Sequence, residues 1–240
     1  MDIRVLGDVV SRDRRSGATA LRAAGREYDY RRFCTTAWKT GNLLRNEGVR
    51  SGMTVAVADD PAPEAVLACY GAALLGATVG FGPDALDDRT KALVVPTADL
   101  GGYDAGPRTR RVGYGEEPGD PSVAYFERDV WSENPTEPPD RVDPEDPLLR
   151  VGGGTRTHGE VLGAARTVAD DWGLGPGDAV AVRASFAHPG TVAAGLVAPV
   201  LAGAVVRLPD GEGAGGGSAA DYAVGGSGPE PTVDPDEVLG

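Results

Sequence analysis

The chain has 240 residues, 41% of them hydrophobic, and a formal net charge of −13. That is enough apolar content for one large or two small cores, and enough negative charge to disfavour nucleic acid, anionic membrane surfaces and acidic partners. The start, Met1-Asp2-Ile3-Arg4, lacks the basic stretch and apolar core of a signal peptide, and no apolar run reaches membrane-spanning length, so the expected location is cytoplasmic.

Lys39 and Lys91 are the only lysines among abundant Asp, Glu, Gly, Ala and Val. This bias reads as halophilic. Carboxylates keep a surface hydrated in concentrated salt, and long lysine stems would add exposed apolar area there. Cys34 and Cys69 have no cysteine or histidine nearby at ligand spacing, so they read as small buried hydrophobes, with neither a metal site nor a disulfide framework indicated.

The predicted elements come twice. In the first block, residues 26–30 alternate as a strand and 32–47 carry Phe33, Ala37, Gly41 and Leu44 at helical spacing, ending at Gly48. Residues 54–58 form a short β-branched run, 64–75 a helix apolar on nearly every face behind Pro63, and 78–81 a further strand. A more polar stretch follows, with candidate strands at 92–95, 111–114 and 123–126. Residues 135–147 hold five prolines and several acids and read as a linker.

The second block repeats the plan with a helix at 159–172 closed by Gly173, a strand at 179–183, a helix at 191–201 and a strand at 204–208. Leu21-Arg22-Ala23-Ala24-Gly25 answers to Leu149-Arg150-Val151-Gly152-Gly153, Gly48 to Gly173 and Gly76 to Gly203, at offsets of 125 to 128 residues. The expected fold is therefore α/β, two similar mainly parallel sheet-and-helix units related by internal duplication. The expected boundaries are 1–134 for the first unit with its extra strands, 135–147 for the linker, 148–209 for the second unit and 210–240 for a Gly-rich acidic tail. That tail is expected to be poorly ordered apart from a short strand or turn at 222–224.

The stretches Gly25-Arg26-Glu27-Tyr28-Asp29-Tyr30, Gly48-Val49-Arg50-Ser51-Gly52 and Gly71-Ala72-Ala73-Leu74-Leu75-Gly76-Ala77 resemble the start of the AMP-forming acyl-CoA synthetases and related adenylating ligases. Thr157-His158, Ala187-His188-Pro189-Gly190 and Leu201-Ala202-Gly203-Ala204 are similar to the family's segment after its phosphate-binding loop. The resemblance implies an N-terminal domain of two related α/β subdomains. It also implies a Ser/Thr/Gly-rich loop ending in Pro-Lys-Gly, whose amides, hydroxyls and lysine hold ATP phosphates. The equivalent stretch here is only Val151-Gly152-Gly153-Gly154-Thr155-Arg156, and the family's later elements are not found in these residues. A truncated, degenerate relative without a complete adenylation site is expected.

Candidate ligand-binding remnants are Thr155, Arg156, His158, His188 and Gly190. The first three are either a relic phosphate site or part of a tight turn, and the turn is the better reading of so short a glycine run. For His188 the resemblance implies a wall of the acyl pocket, while a loop histidine before Pro-Gly is otherwise solvent-facing or structural. No third group at a recognisable spacing completes a Ser185–His188 hydrolase arrangement. Gly211-Glu212-Gly213-Ala214-Gly215-Gly216 formally matches a dinucleotide fingerprint, but Asp210 and Glu212 would repel a pyrophosphate and low complexity is the better reading.

No catalytic residue, metal or cofactor is expected, with ATP, AMP or CoA the nucleotides the resemblance would bring. Partners would be a ligase-like protein or a small carboxylate. The expected function is that of a non-catalytic homologue acting as a binding or interaction protein. The alternatives are a ligase subunit completed by a separately encoded partner, or a structural subunit with no ligand. If the acidic composition is a salt adaptation, the melting temperature should rise from low to molar KCl as carboxylate repulsion is screened; equal melting at both would make the composition incidental.

Overall fold

Opposed apolar and polar runs of the two blocks fold into the same succession of elements. The computed structural model describes residues 2–23, 25–82, 86–152, 154–209 and 220–239. The first half runs β1 (Thr19–Ala23), β2 (Arg26–Asp29), α1 (Tyr30–Asn46), β3 (Thr54–Val57), α2 (Pro63–Ala73), β4 (Thr78–Phe81), β5 (Thr90–Pro96), β6 (Arg110–Tyr114), β7 (Ala124–Tyr125) and α3 (Phe126–Ser132). The second runs β8 (Pro147–Val151), β9 (Gly154–Thr157), α4 (His158–Trp172), β10 (Ala179–Val182), α5 (Pro189–Thr191), α6 (Ala198–Ala202), β11 (Val205–Arg207), β12 (Tyr222–Val224), β13 (Thr232–Val233) and α7 (Pro235–Val238). Each half is a hairpin, a capped helix, a strand, a helix, and then strand after strand.

The helix ends carry the duplication most clearly. Asp29 caps α1 by accepting from the Arg32 N–H, and Thr157 caps α4 in a reciprocal box with Glu160. At the other ends, Val49 N–H reaches Leu44 O, Ala77 reaches Ala72, Leu174 reaches Ala169 and Ala204 reaches Pro199. In each case Gly48, Gly76, Gly173 or Gly203 supplies the positive φ that lets the chain turn back. The expected pairing of Gly48 with Gly173 and of Gly76 with Gly203 is what the structure shows.

Two mainly parallel sheets result, one of seven strands in the order β7-β6-β5-β3-β4-β8-β9 and one of six in the order β13-β12-β10-β11-β1-β2. The orders coincide when β3 is matched with β10, β4 with β11, β5 with β12 and β6 with β13. The hairpins are exchanged. β8 lies parallel to β4, with Leu149 opposite Val79, and β1 lies parallel to β11, with Leu21 opposite Val206. Residues 19–29 therefore complete the second half's sheet, and residues 147–157 the first half's.

Between the sheets one apolar cluster draws on both halves, including Leu6, Phe33, Leu67, Leu148, Leu162 and Leu196. All of α2 is buried, as its uniformly apolar sequence requires. The Tyr70 hydroxyl donates to Leu196 O at 2.8 Å and the Tyr30 hydroxyl to Ala204 O at 2.7 Å, so buried phenols link the halves. Cys34 and Cys69 are both buried, and desolvation pushes their thiols up to about 11 and about 12.

Several features depart from the sequence reading. The strand expected over 123–126 covers only Ala124–Tyr125, and Phe126 begins α3. The helix expected over 191–201 is interrupted by a π-helical stretch, Val192–Val197, between α5 and α6; Pro199, which has no N–H to donate, removes the ordinary helical bond at that point. The short 3-10 helix Leu6–Val10, for which no element was expected, has four buried residues. Beyond the expected strand at 222–224, β13 and α7 add structure, because β12 offers a parallel edge to β13 and Arg183 pairs with Glu230. Residues 210–219 lie outside the described residues, as does the dinucleotide-like glycine run within them. Among the described residues no helix is long and apolar enough to cross a membrane.

The α1–α2 crossing is closest where Gly71 meets α1. A Cβ added there would lie 2.9 Å from Gly41 N and 3.0 Å from Thr40 C. Backbone cannot move aside as a side-chain end can, so Gly71→Ala should cost about 1–3 kcal/mol in urea unfolding. A loss under a few tenths would mean that the helices separate freely.

Candidate functional site

The β8–β9 hairpin occupies the place where the resemblance puts a phosphate-binding loop. Val151 pairs with Gly154, so the connection is two residues, Gly152 with φ 46° and Gly153, which lies outside the described residues. On β8, Arg150 donates to Asp87 Oδ2 at 2.6 Å and to Thr54 Oγ1 at 3.0 Å, tying the hairpin to the first sheet.

The candidate residues on this hairpin do not gather on one surface. Thr155 is exposed and Arg156 half-buried on successive positions of β9, which point to opposite faces. His158, at the first turn of α4, is fully buried. Its Nδ1 accepts the Leu6 N–H at 3.1 Å, which places the proton of the neutral ring on Nε2, an atom buried without a hydrogen-bond partner. Burial pulls its pKa down to about 4, against the opposing influence of Asp146 and Asp8. His158 anchors the N-terminal segment.

His188 and Gly190 do come together, at the start of α5. His188 Nδ1 accepts the Gly190 N–H at 3.1 Å, and Nε2 lies 2.8 Å from Asp236 Oδ1 of α7. Gly190 packs so closely on α7 that an added Cβ would collide with Pro235 O. The preceding loop is held from the other sheet: Asp59, just past β3, accepts from the Ser185 hydroxyl and from the Phe186 N–H at 2.7 Å. Phe81 of β4 meets Phe186 edge-on, with centroids 5.5 Å apart. The Ser185 hydroxyl is bonded to Asp59 and not to the His188 ring, so no nucleophile–base pair forms.

This junction lies at the carboxyl ends of β3, β4 and β10, the edge at which open α/β sheets place ligands. Sequence reasoning missed Asp59 and Asp236. Asp59-Asp60 directly after a buried strand was a readable signal; Asp236 was hidden in the expected tail. Among the described residues no group of three or more His, Cys, Asp or Glu could hold a metal ion.

No family model matches the sequence, and no curated protein matches it. Solved structures do. The anthranilate CoA ligase AuaEII, in complex with anthranoyl-AMP, superposes with a TM-score of 0.76 at 20% identity over 92% of this chain and 49% of that one. The N-terminal domain of FACL13 from Mycobacterium tuberculosis gives 0.69 at 18% over 86% and 57%, and a Brucella canis acyl-CoA synthetase 0.68 at 18% over 85% and 43%. The chain has the fold of a ligase N-terminal domain. It spans about half the length of these structures, and its two sheets and flanking helices account for most of its own length. Within this ligase fold, His158 and the hairpin before it are bound into the scaffold.

The burial of His158 has a pH consequence. Its folded pKa lies below the unfolded value of 6.5, so the unfolded chain binds the extra proton between pH 6.5 and about 4. Stability should be unaffected above that window and fall by up to about 3 kcal/mol as pH drops through it. His158→Asn keeps an acceptor for the Leu6 N–H and cannot titrate there. Urea unfolding at pH 7 and pH 4.5 should show a smaller acid loss in this variant; equal losses would place the titration elsewhere.

Proposed function

We propose that this chain is a non-catalytic, degenerate relative of the adenylate-forming ligases that serves as a binding or interaction protein, its ligand a hydrophobic carboxylate or its partner a full-length ligase. The two-residue β8–β9 connection carries this reading. A phosphate loop works by leaving several backbone N–H groups free to point at one oxyanion, beside a lysine. Here β8 and β9 pair from Pro147 with Thr157 to Val151 with Gly154, so the backbone on either side of the connection runs as a strand ladder rather than as a loop folded around an anion. The two lysines, Lys39 on α1 and Lys91 on β5, belong to other elements.

The junction at Asp59, Ser185 and His188 favours a second reading, a ligase subunit to which a separately encoded partner adds the missing groups, because it retains ordered polar residues at the ligand-bearing edge of the fold. One pair of assays tests the non-catalytic reading. This chain alone, given ATP, Mg²⁺ and a panel of aromatic and aliphatic carboxylates, should release no pyrophosphate above the blank. In a thermal-shift screen at least one carboxylate should raise its melting temperature, by mass action on the folded state, and ATP should not. Carboxylate-dependent pyrophosphate release by this chain would overturn the non-catalytic reading.

A further inference from the structure

In a chain of net charge −13, a local excess of arginine stands out. One such excess surrounds a cleft of about 500 Å³ on the first half, bordered by Arg15, Arg26, Arg31, Arg32 and Lys39. Arg31, Arg32, Thr35, Thr36 and Lys39 share one face of α1 through the three-, four- and seven-residue spacing of a helix. The opposite wall comes from α3 and the first turn of α2, which contribute Leu67, Phe126, Val130 and Trp131. Trp131 is 81% exposed, the one large hydrophobic so exposed among the described residues.

The fold's own acids engage only part of this charge. Arg26 is held by both oxygens of the buried Glu64, at 2.5 and 3.0 Å, and Lys39 donates to Trp131 O at 2.6 Å. Asp29 is occupied in capping α1, and Glu127 Oε1 accepts the Gly115 N–H at 2.8 Å. Arg32 lies 4.3 Å from the centre of the Tyr28 ring and makes no ion pair, and neither does Arg31, among the described residues. Arg15 Nε and Thr35 Oγ1 are buried in the wall without hydrogen-bond partners, as is Glu127 Oε2. Asp29, Glu64 and Glu127 are the acids of the lining, so five cations face three anions. The excess matches a ligand bearing one or two negative charges and is too small for a triphosphate. The volume is that of a small-molecule site, with an apolar wall and a few convergent polar groups.

We infer that this cleft binds a small amphipathic carboxylate, its charged group on Arg31 and Arg32 and its aromatic or acyl body against Leu67, Phe126, Val130 and Trp131. The inference rests on the binding role proposed above for the class of ligand, and places the site on the face of α1 and α3, away from the junction at Asp59 and His188. Arginine suits it, because a planar guanidinium can engage both carboxylate oxygens while stacking on an aromatic ring.

The test is titration of the intact chain with 2-naphthoate and decanoate, followed by calorimetry and tryptophan fluorescence, with 1-naphthyl phosphate as a parallel arm. Wild type should bind at least one carboxylate. Arg31→Glu and Trp131→Ala should each weaken it tenfold or more with melting temperatures little changed, while Arg141→Glu, a charge reversal outside the cleft, should not. Equal affinity in wild type, Arg31→Glu and Trp131→Ala would overturn the site and leave the binding role standing. No carboxylate binding up to millimolar concentration, or binding of the phosphate alone, would overturn the inference; the role would then rest on a protein partner.

Discussion

The exchange of hairpins is the constraint on which the rest of the molecule depends. β1 reaches its parallel neighbour β11 through Leu21 and Val206, and β8 reaches β4 through Val79 and Leu149. Remove either pairing and one sheet ends at an open strand, with a row of unpaired N–H and C=O groups. Because each half finishes the other's sheet, the carboxyl ends of β3 and β10 are brought close enough for Asp59 to hold Ser185 and Phe186. The same exchange explains why the main apolar cluster spans both halves although the sequence repeats as two blocks. The outer strands of the hairpins, β2 and β9, take the edge positions and carry Arg26, Glu27, Thr155 and Arg156, polar side chains of the kind that discourage further pairing.

The repeat was legible because helix ends and buried strands leave local marks. A glycine must follow the last turn if the chain is to reverse with positive φ, so Gly48, Gly76, Gly173 and Gly203 advertised the duplication. The hairpin exchange had no such mark, since strand patterning fixes which face of a residue is buried and not which strand lies alongside. His158 was ambiguous for a related reason: its partner, the Leu6 N–H, is 152 residues away. The basic cleft escaped motif reading altogether, because its arginines come from the segment before β1, the β1–β2 hairpin and α1, and its apolar wall from α2 and α3. Nothing in the sequence brings positions 15, 31 and 131 together until those elements pack.

The two-residue β8–β9 connection shows how a binding loop and a strand ladder would compete for the same atoms. A backbone N–H can donate across a sheet or to a bound anion, and closing the hairpin after two residues commits the flanking groups to the sheet. That choice suits the exchanged topology. β8 must pair with both β4 and β9, and a long loop would let its end fray where Arg150 now reaches Asp87 and Thr54.

Electrostatics then separates the two concave regions. At the junction of the halves, the partners described for Asp59, Asp60 and Asp236 include no arginine: Asp59 faces Ser185 and Phe186, Asp60 accepts the Tyr114 hydroxyl at 2.7 Å, and Asp236 faces His188. Burial and the Asp60 carboxylate together drive the Tyr114 hydroxyl's pKa upward, the signature of a local field that opposes further negative charge. A carboxylate entering there would meet repulsion unless His188 took a proton or a partner supplied cations. Across α1 the sign reverses, with Arg31 and Arg32 making no ion pair among the described residues beside an exposed indole. For an anionic ligand the free-energy difference between these surroundings favours the face of α1, even though the fold's usual ligand edge lies at the carboxyl ends of the strands.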